Sequence, residues 1–348
     1  MGTTLEHLLP PADMLKRILL TRGQLSRVQA EGMVTAMSEE AYSSDDCAAL
    51  LLLLTQKGET AEELAGAVNA LRAKMRPFPE IDNCVDCCGT GGDGLHTLNV
   101  STAAAFVAAG CGLRVAKHGN RASSSKSGAA DVLEALGVEL ALKPEDSAEA
   151  LQRFNYAFLM APHYHPALAP LAPIRKSLGV RTLFNYTGPL LNPARPATQL
   201  IGTCDPRISE LMASAAPMVG LKRAVFVSAE NGMDEVSLSC PTSCIFLHED
   251  GTLETQELTH EDFGLPPHAP EALLGGEAAE NGKALLGLLE GQKSAYRDTV
   301  IANTALLLFL TGAKETLHEA VDSCMKVIDD GSAYRIFSAY RDFTQERA

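Results

Sequence analysis

Residues 84–94 read CVDCCGTGGDG, and residues 113–128 read LRVAKHGNRASSSKSG. Each stretch opens with a short apolar run of strand length and passes into a glycine-bearing loop. Each is then followed by an alanine- and valine-rich helical pattern, residues 102–109 ended by Gly110 and residues 129–136 ended by Gly137. Strand, loop and helix repeated in tandem imply an α/β fold with a mostly parallel sheet covered by helices, because parallel neighbours need a crossover long enough to hold a helix. Further strands are predicted at 157–160, 199–203, 224–228 and 244–248. From residue 281 the pattern returns to helix, and 298–310 is apolar enough to be buried.

Upstream of the first strand the grammar differs. Residues 1–76 read as helical throughout: SSDD at 43–46 precedes the leucine run ending at Leu54, KGE at 57–59 interrupts it, and TAEE at 60–63 forms a capping box that opens a helix over 64–75. The segment RPFP at 76–79 is a proline-bearing connector. The expected architecture is a small all-helical domain joined to a larger α/β domain.

Composition narrows the function. The chain has 348 residues, 46% of them hydrophobic, and a formal net charge of −14. That core excludes intrinsic disorder, and the acidity argues against duplex nucleic acid or an anionic membrane as a partner. No apolar run approaches the roughly 20 residues that span a bilayer, and residues 1–13 lack the pattern of an export signal. A cytoplasmic protein is expected, with its nine cysteines as free thiols.

Positive charge is nevertheless concentrated locally. Between Arg114 and Lys126 there are four cationic side chains and no carboxylate. The four glycines of 89–94 let backbone N–H groups turn inward as a nest for phosphate, and NVST at 99–102 opens the following helix with its free N–H groups on the same side. Neither the Walker pattern nor the dinucleotide fingerprint is present. Plainer readings remain open: a tight turn, N-capping by Asn99 or Ser101, and a solvated basic loop.

The segments GTGGD, NVST and KHGNRASSSKSGAADVLEALG together resemble the anthranilate phosphoribosyltransferase family. The similarity continues through HPA at 165–167, PIRKSLG at 173–179, RTLFN at 181–185, GPLLNP at 188–193 and NGMDEVS at 231–237. The resemblance implies a homodimer built through a helical domain of residues 1–76 plus about 170–188, with the α/β domain in 77–169 and 189–348. It implies that the phosphoribosyl group of 5-phosphoribosyl 1-pyrophosphate (PRPP) passes to the amine of anthranilate, a step of tryptophan biosynthesis.

By the same resemblance, PRPP is held first by Gly89, Thr90, Gly91, Gly92, Asp93, Thr97, Asn99, Val100, Ser101 and Thr102. The second loop adds Lys117, His118, Gly119, Asn120, Arg121, Ala122, Ser123, Ser124 and Ser125, with Ala129 at its end. Gly89, Asn120 and Arg175 would contact anthranilate, with His118 and His165 beside the acceptor. Magnesium, as two ions, would be held through Ser101, Asp234 and Glu235. Adjacent carboxylates suit a hard cation that bridges phosphates, and a guanidinium fork suits an aromatic acid, although a polar turn and a surface arginine are the bland alternatives.

Three departures from the family pattern stand out. Ala129 occupies a position where many relatives carry serine, so a hydroxyl contact is absent or supplied by Ser127. Tyr186-Thr187 replaces an apolar pair, and Glu230 and Asn231 precede the acidic pair. Two other readings are a phosphorolytic pyrimidine nucleoside phosphorylase and a zinc-binding interaction protein using Cys84, Cys87, Cys240 and Cys244. The second is opposed by strand geometry, which turns alternate side chains to opposite faces.

Overall fold

The computed structural model describes residues 10–21, 23–122 and 126–347. Ser123, Ser124 and Ser125, and residues 1–9 of the expected helical segment, lie outside the described residues. The six predicted strands and one more form a seven-stranded sheet: β1 (Cys84–Gly89), β2 (Arg114–Gly119), β3 (Tyr156–Met160), β4 (Thr198–Gly202), β5 (Arg223–Ala229), β6 (Thr242–Leu247) and β7 (Leu253–Leu258). Their order is β3-β2-β1-β4-β5-β6-β7, with the first five mutually parallel and the last two antiparallel.

That order has a functional consequence. The chain winds outward from β1 through β2 to β3, then returns to the other side of β1 to lay down β4 and β5. The reversal opens a crevice at the carboxyl ends of β1 and β4, where ligands bind in open α/β sheets. Both signature loops leave the sheet at that edge, from Gly89 and from Gly119.

One sheet face is covered by helices Val100–Gly110 and Ala295–Leu310. Residues 103–109 of the first are all fully buried, and the second is buried along nearly its whole length, as its apolar sequence requires. The opposite face carries the helical region. Helices Arg27–Ser38, Ser44–Lys57 and Ala61–Ala73 share a core with Leu171, Leu183, Phe184, Leu190 and Leu191, and this core continues onto Ile201, Phe226 and Ile245 of the sheet.

The capping box at Thr60 and Glu63 forms as the sequence indicates. Glu63 is buried, and it also accepts from Leu25 N at 2.8 Å and from Lys57 Nζ at 2.9 Å, so one carboxylate ties two helix starts together. The strand missed by sequence is β7, LETQEL, whose first five side chains are exposed. An edge strand of alternating charge and polarity buries too little to print a hydrophobic pattern. Among the described residues no helix is long and apolar enough to cross a membrane.

Candidate active site

The glycine loop turns through positive φ at Gly91, Gly92 and Gly94, values of 65°, 71° and 74° that side-chain-bearing residues rarely adopt. Its Gly91 N–H meets the loop following β5, which brings Asp234 and Glu235 to the crevice. Asp234 Oδ2 accepts from Gly91 N at 2.8 Å, and Glu235 Oε1 accepts from Ser101 N at 3.1 Å in the first turn of helix Val100–Gly110. Glycine is required on both flanking strands: a Cβ on Gly89 would stand 3.0 Å from Asp234 Cγ, and one on Gly202 would overlap the Asp234 backbone.

These carboxylates are poorly solvated. Burial, then the nearby Asp93, raises Asp234 from 3.8 to about 6. Burial and the Asp234 charge push Glu235 well above the ordinary carboxylate range, and Lys117 only partly offsets them. Thr90 Oγ1, Asp93 Oδ2 and Thr102 Oγ1 are buried around the same crevice without a hydrogen-bond partner. Unmatched donors and acceptors at a strand-end crevice mark a place shaped for a polar ligand.

The plainer reading left open for this segment, a side-chain cap on helix Val100–Gly110 from Asn99, does not hold. Asn99 makes no cap bond; it donates to Ser127 O at 3.3 Å and accepts from Asn281 Nδ2 at 2.9 Å, linking the two loops from behind. Glu235 caps the helix in its place. Val100 is buried in the core, and Thr97 forms a bridge to Leu274 at the outer end of the glycine loop.

The second loop is organised differently. Lys117 is buried, with Nζ 3.2 Å from His118 O; burial opposes its charge, but Asp86, Cys87, Cys88 and Glu235 overcompensate and raise its pKa. Arg121 is turned away from the crevice into ion pairs with Asp131 and Glu134 at 3.1 and 2.7 Å. Asp131 Oδ2 accepts from Ala122 N at 2.8 Å and Gly128 N at 2.9 Å, and Asn120 is exposed at the tip, its Oδ1 accepting from Arg121 N. Ser127 donates to Gly276 O and accepts from Asn281, so its hydroxyl is already engaged in bracing the loop rather than replacing the serine absent at Ala129.

On the helical side of the second loop, His118 and His165 are buried edge to face with ring centroids 5.3 Å apart. Burial holds His118 well below its ordinary value and lowers His165 to about 4, so both rings are neutral at pH 7. Arg175, in helix Ala172–Leu178, is half-buried with Cζ 6.0 Å from the Phe184 ring centroid, and burial lowers its pKa.

Arg181 carries a contact that sequence reasoning left unassigned. It donates through Nη2 to the Gly91 carbonyl and through Nη1 to Cys204 Sγ at 2.8 Å, so the helical segment clamps the back of the glycine loop. The described residues contain no group of three or more His, Cys, Asp or Glu placed to hold a metal by themselves. The acidic pair of Asp234 and Glu235 supplies only part of a shell, which fits a cation completed by phosphate oxygens and water.

Comparisons with other proteins agree with both parts of this fold. The sequence model of the "Glycosyl transferase family, helical bundle domain" matches residues 12–75, and that of the "Glycosyl transferase family, a/b domain" matches residues 81–334. The anthranilate phosphoribosyltransferase of Thermus thermophilus superposes with a TM-score of 0.89 at 36% identity, over 96% of this chain and 99% of that one. The Saccharomyces cerevisiae enzyme in complex with PRPP and Mg gives 0.89 at 28% identity, over 97% and 98%. The anthranilate phosphoribosyltransferase of Novosphingobium aromaticivorans is 42% identical over 91% of this chain and 96% of its own length. Sequence matched at that level over nine-tenths of the chain, with both family models in place, means that the chain belongs to the anthranilate phosphoribosyltransferase family.

Proposed function

We propose that this chain transfers the phosphoribosyl group of PRPP to the amine of anthranilate, giving N-(5-phosphoribosyl)anthranilate and pyrophosphate. The observation that carries this reading is the crevice at the β1/β4 reversal. There a glycine nest, a helix N-terminus and a desolvated carboxylate pair converge within hydrogen-bond distance. A diphosphate needs the first two, and a magnesium ion bound to that diphosphate needs the third.

In the reaction the ribose C1–oxygen bond breaks, the electron pair leaves with pyrophosphate, and the anthranilate nitrogen forms the new bond to C1 and loses a proton to solvent. The task of the protein is to stabilise charge on the leaving group while an already competent nucleophile is held in line. Gly91 N–H, Ser101 N–H and the Thr90 and Thr102 hydroxyls are placed to hold phosphate oxygens. Asp93, Asp234 and Glu235 face the same space. When bound, Mg2+ would be held by Asp234 and Glu235 with Ser101 beside them, and it would supply neutralising charge to the departing oxygens. Two ions is the number the family resemblance suggests.

Arg175 would hold the anthranilate carboxylate, Asn120 and Gly89 would border the acceptor, and His118 and His165 would present neutral edges to it. No covalent nucleophile is needed, so the cysteines take no part. The Saccharomyces cerevisiae relative in complex with 4-fluoroanthranilate supports an acceptor of this class. The test is a steady-state assay following loss of anthranilate fluorescence with PRPP and Mg2+ varied. Arg175→Ala is expected to raise the KM for anthranilate ~10-fold or more while leaving that for PRPP little changed. No turnover by the wild-type chain would overturn the reading.

We also take residues 1–76 with about 170–188 as a dimerising helical domain in a cytoplasmic enzyme. Leu19, Leu20 and Val28 are 59%, 80% and 66% exposed on its first two helices, apolar side chains that a second copy would cover. A monomer mass by light scattering at micromolar concentration would exclude that assembly.

A further inference from the structure

β1 and β2 are neighbours in the sheet, yet they pair over only two positions, Cys84 with Arg114 and Val85 with Val115. By contrast β1 pairs with β4 over five positions, and β2 with β3 over five. Above Val85 the ladder between them stops, and side chains take the place of its backbone bonds. Asp86 Oδ1 accepts from His118 N at 3.3 Å, and Asp86 Oδ2 accepts from Asn192 Nδ2 at 2.8 Å. Asn192 Nδ2 also donates to Ala116 O at 2.7 Å. A backbone donor and acceptor of β2 that face β1 are thus satisfied by one carboxylate and one amide. Gln199 completes the set, donating to Asp86 Oδ2 at 3.5 Å and to Pro189 O at 3.0 Å.

The geometry points to Asp86 as a positioning residue for phosphoribosyl transfer, a wedge that with Asn192 sets the spacing of the two ligand loops. Those loops begin three residues beyond Asp86, at Gly89, and directly after His118. With an apolar side chain in its place the ladder between β1 and β2 would be free to zip toward the tips, drawing the glycine loop against the second loop and closing the crevice. A fully buried carboxylate in a strand interior is costly: burial raises the Asp86 pKa, and Lys117, Asn192 and the His118 N–H only partly offset it. Asn192 further links this spacing to the helical side. Residues 188–193 carry the chain from Leu190 and Leu191, packed in the helical core, back to the sheet.

The inference rests on the proposal that the two loops hold PRPP, and the test separates the two. Asp86→Asn turns an amide donor toward the Asn192 and Gln199 amides and removes the acceptor they share. In the full chain, assayed well below its melting temperature, Asp86→Asn is expected to raise the KM for PRPP and lower kcat, each ~10-fold, with the KM for anthranilate within about threefold of wild type.

A folded Asp86→Asn variant that melts lower but keeps both constants would make Asp86 an ordinary core residue and overturn the wedge. If Asp86→Asn does not fold, Asn192→Ser removes the same bond from the other side and carries the test by the same two constants. Thr102→Val, which deletes a hydroxyl without a protein partner, checks the loops independently. A raised KM for PRPP there beside an unchanged one in Asp86→Asn overturns the wedge alone; no change in either overturns the PRPP site with it.

Discussion

The two ligand loops have the same construction in outline and opposite energetics. In each, backbone N–H groups that point toward the crevice or its rim are held by a carboxylate of the protein: Gly91 and Ser101 by Asp234 and Glu235, Ala122 and Gly128 by Asp131. The first pair of carboxylates is desolvated and mutually repelling, with both pKa values raised. Asp131 lies near the surface; burial is the largest single influence on it, but its backbone donors and Arg121 together outweigh that penalty and lower its pKa. The first loop is therefore poised to exchange its carboxylates for cation and phosphate, whereas the second is a finished turn. Chemistry belongs on the loop whose resting contacts are the weaker ones.

The harshest way to break this contrast is to move the acidic pair. Gly202→Ala puts a methyl group into the Asp234 backbone, where no side chain is available to yield. A drop of ~100-fold or more in kcat/KM is expected, with the melting temperature lowered as the loop after β5 is forced away from β4. Steady-state assay and thermal melts check both; near-normal turnover would show that the position of Asp234 is not what shapes the crevice.

Neutralising the pair sharpens the contrast instead. Glu235→Gln keeps the shape and an acceptor for Ser101 N but removes a charge that burial disfavours. Activity is expected to fall ~10- to 100-fold with a higher Mg2+ requirement, while the metal-free protein becomes more stable, not less. The pH dependence has the same sign. Asp234 holds its proton more tightly when folded, about 6 against 3.8, so its contribution to metal-free stability is present at low pH and is lost as pH rises through about 6. Calorimetric melts from pH 4 to 8 with and without Mg2+ pyrophosphate read this directly: the metal-free melting temperature falls across the window and the ligand restores it.

The legible parts of the site are those that local chemistry determines. Glycines at 89–94 announce a turn of positive φ, the apolar runs announce β1 and β2, and a cluster of cations in an acidic chain announces an anion. What stayed hidden depends on distant pairs. Nothing in the sequence places Arg181 on the Gly91 carbonyl, 90 residues away, or sets Glu235 rather than Asn99 as the cap of the helix it faces. Asp86 reads only as a polar residue in a strand, because the ladder bond it replaces is defined only once β2 is in place. The direction of Arg121 was also beyond reach: a cation in a basic loop points equally well at a ligand or at the next helix, and Asp131 and Glu134 decide for the helix.

That outcome leads to the smallest effect and the finest discrimination between the loops. Asp131→Asn can keep its one oxygen on both Ala122 N and Gly128 N, which share Oδ2, but as a weaker, uncharged acceptor, and it turns an amide donor toward Arg121 in place of Oδ1. Because the carboxylate is only partly buried and its ion pair is exposed, the expected loss of stability is about 1 kcal/mol. If the second loop is a finished turn, loosening it raises the KM for PRPP about two- to threefold and leaves kcat unchanged, since uniform binding and not the transition state is weakened. A fall in kcat matching that of Glu235→Gln would mean that the second loop also exchanges partners during transfer, with Arg121 released from Glu134 to follow the charge on the leaving group. The ratio of the two variants' kcat values therefore measures how unequal the loops are.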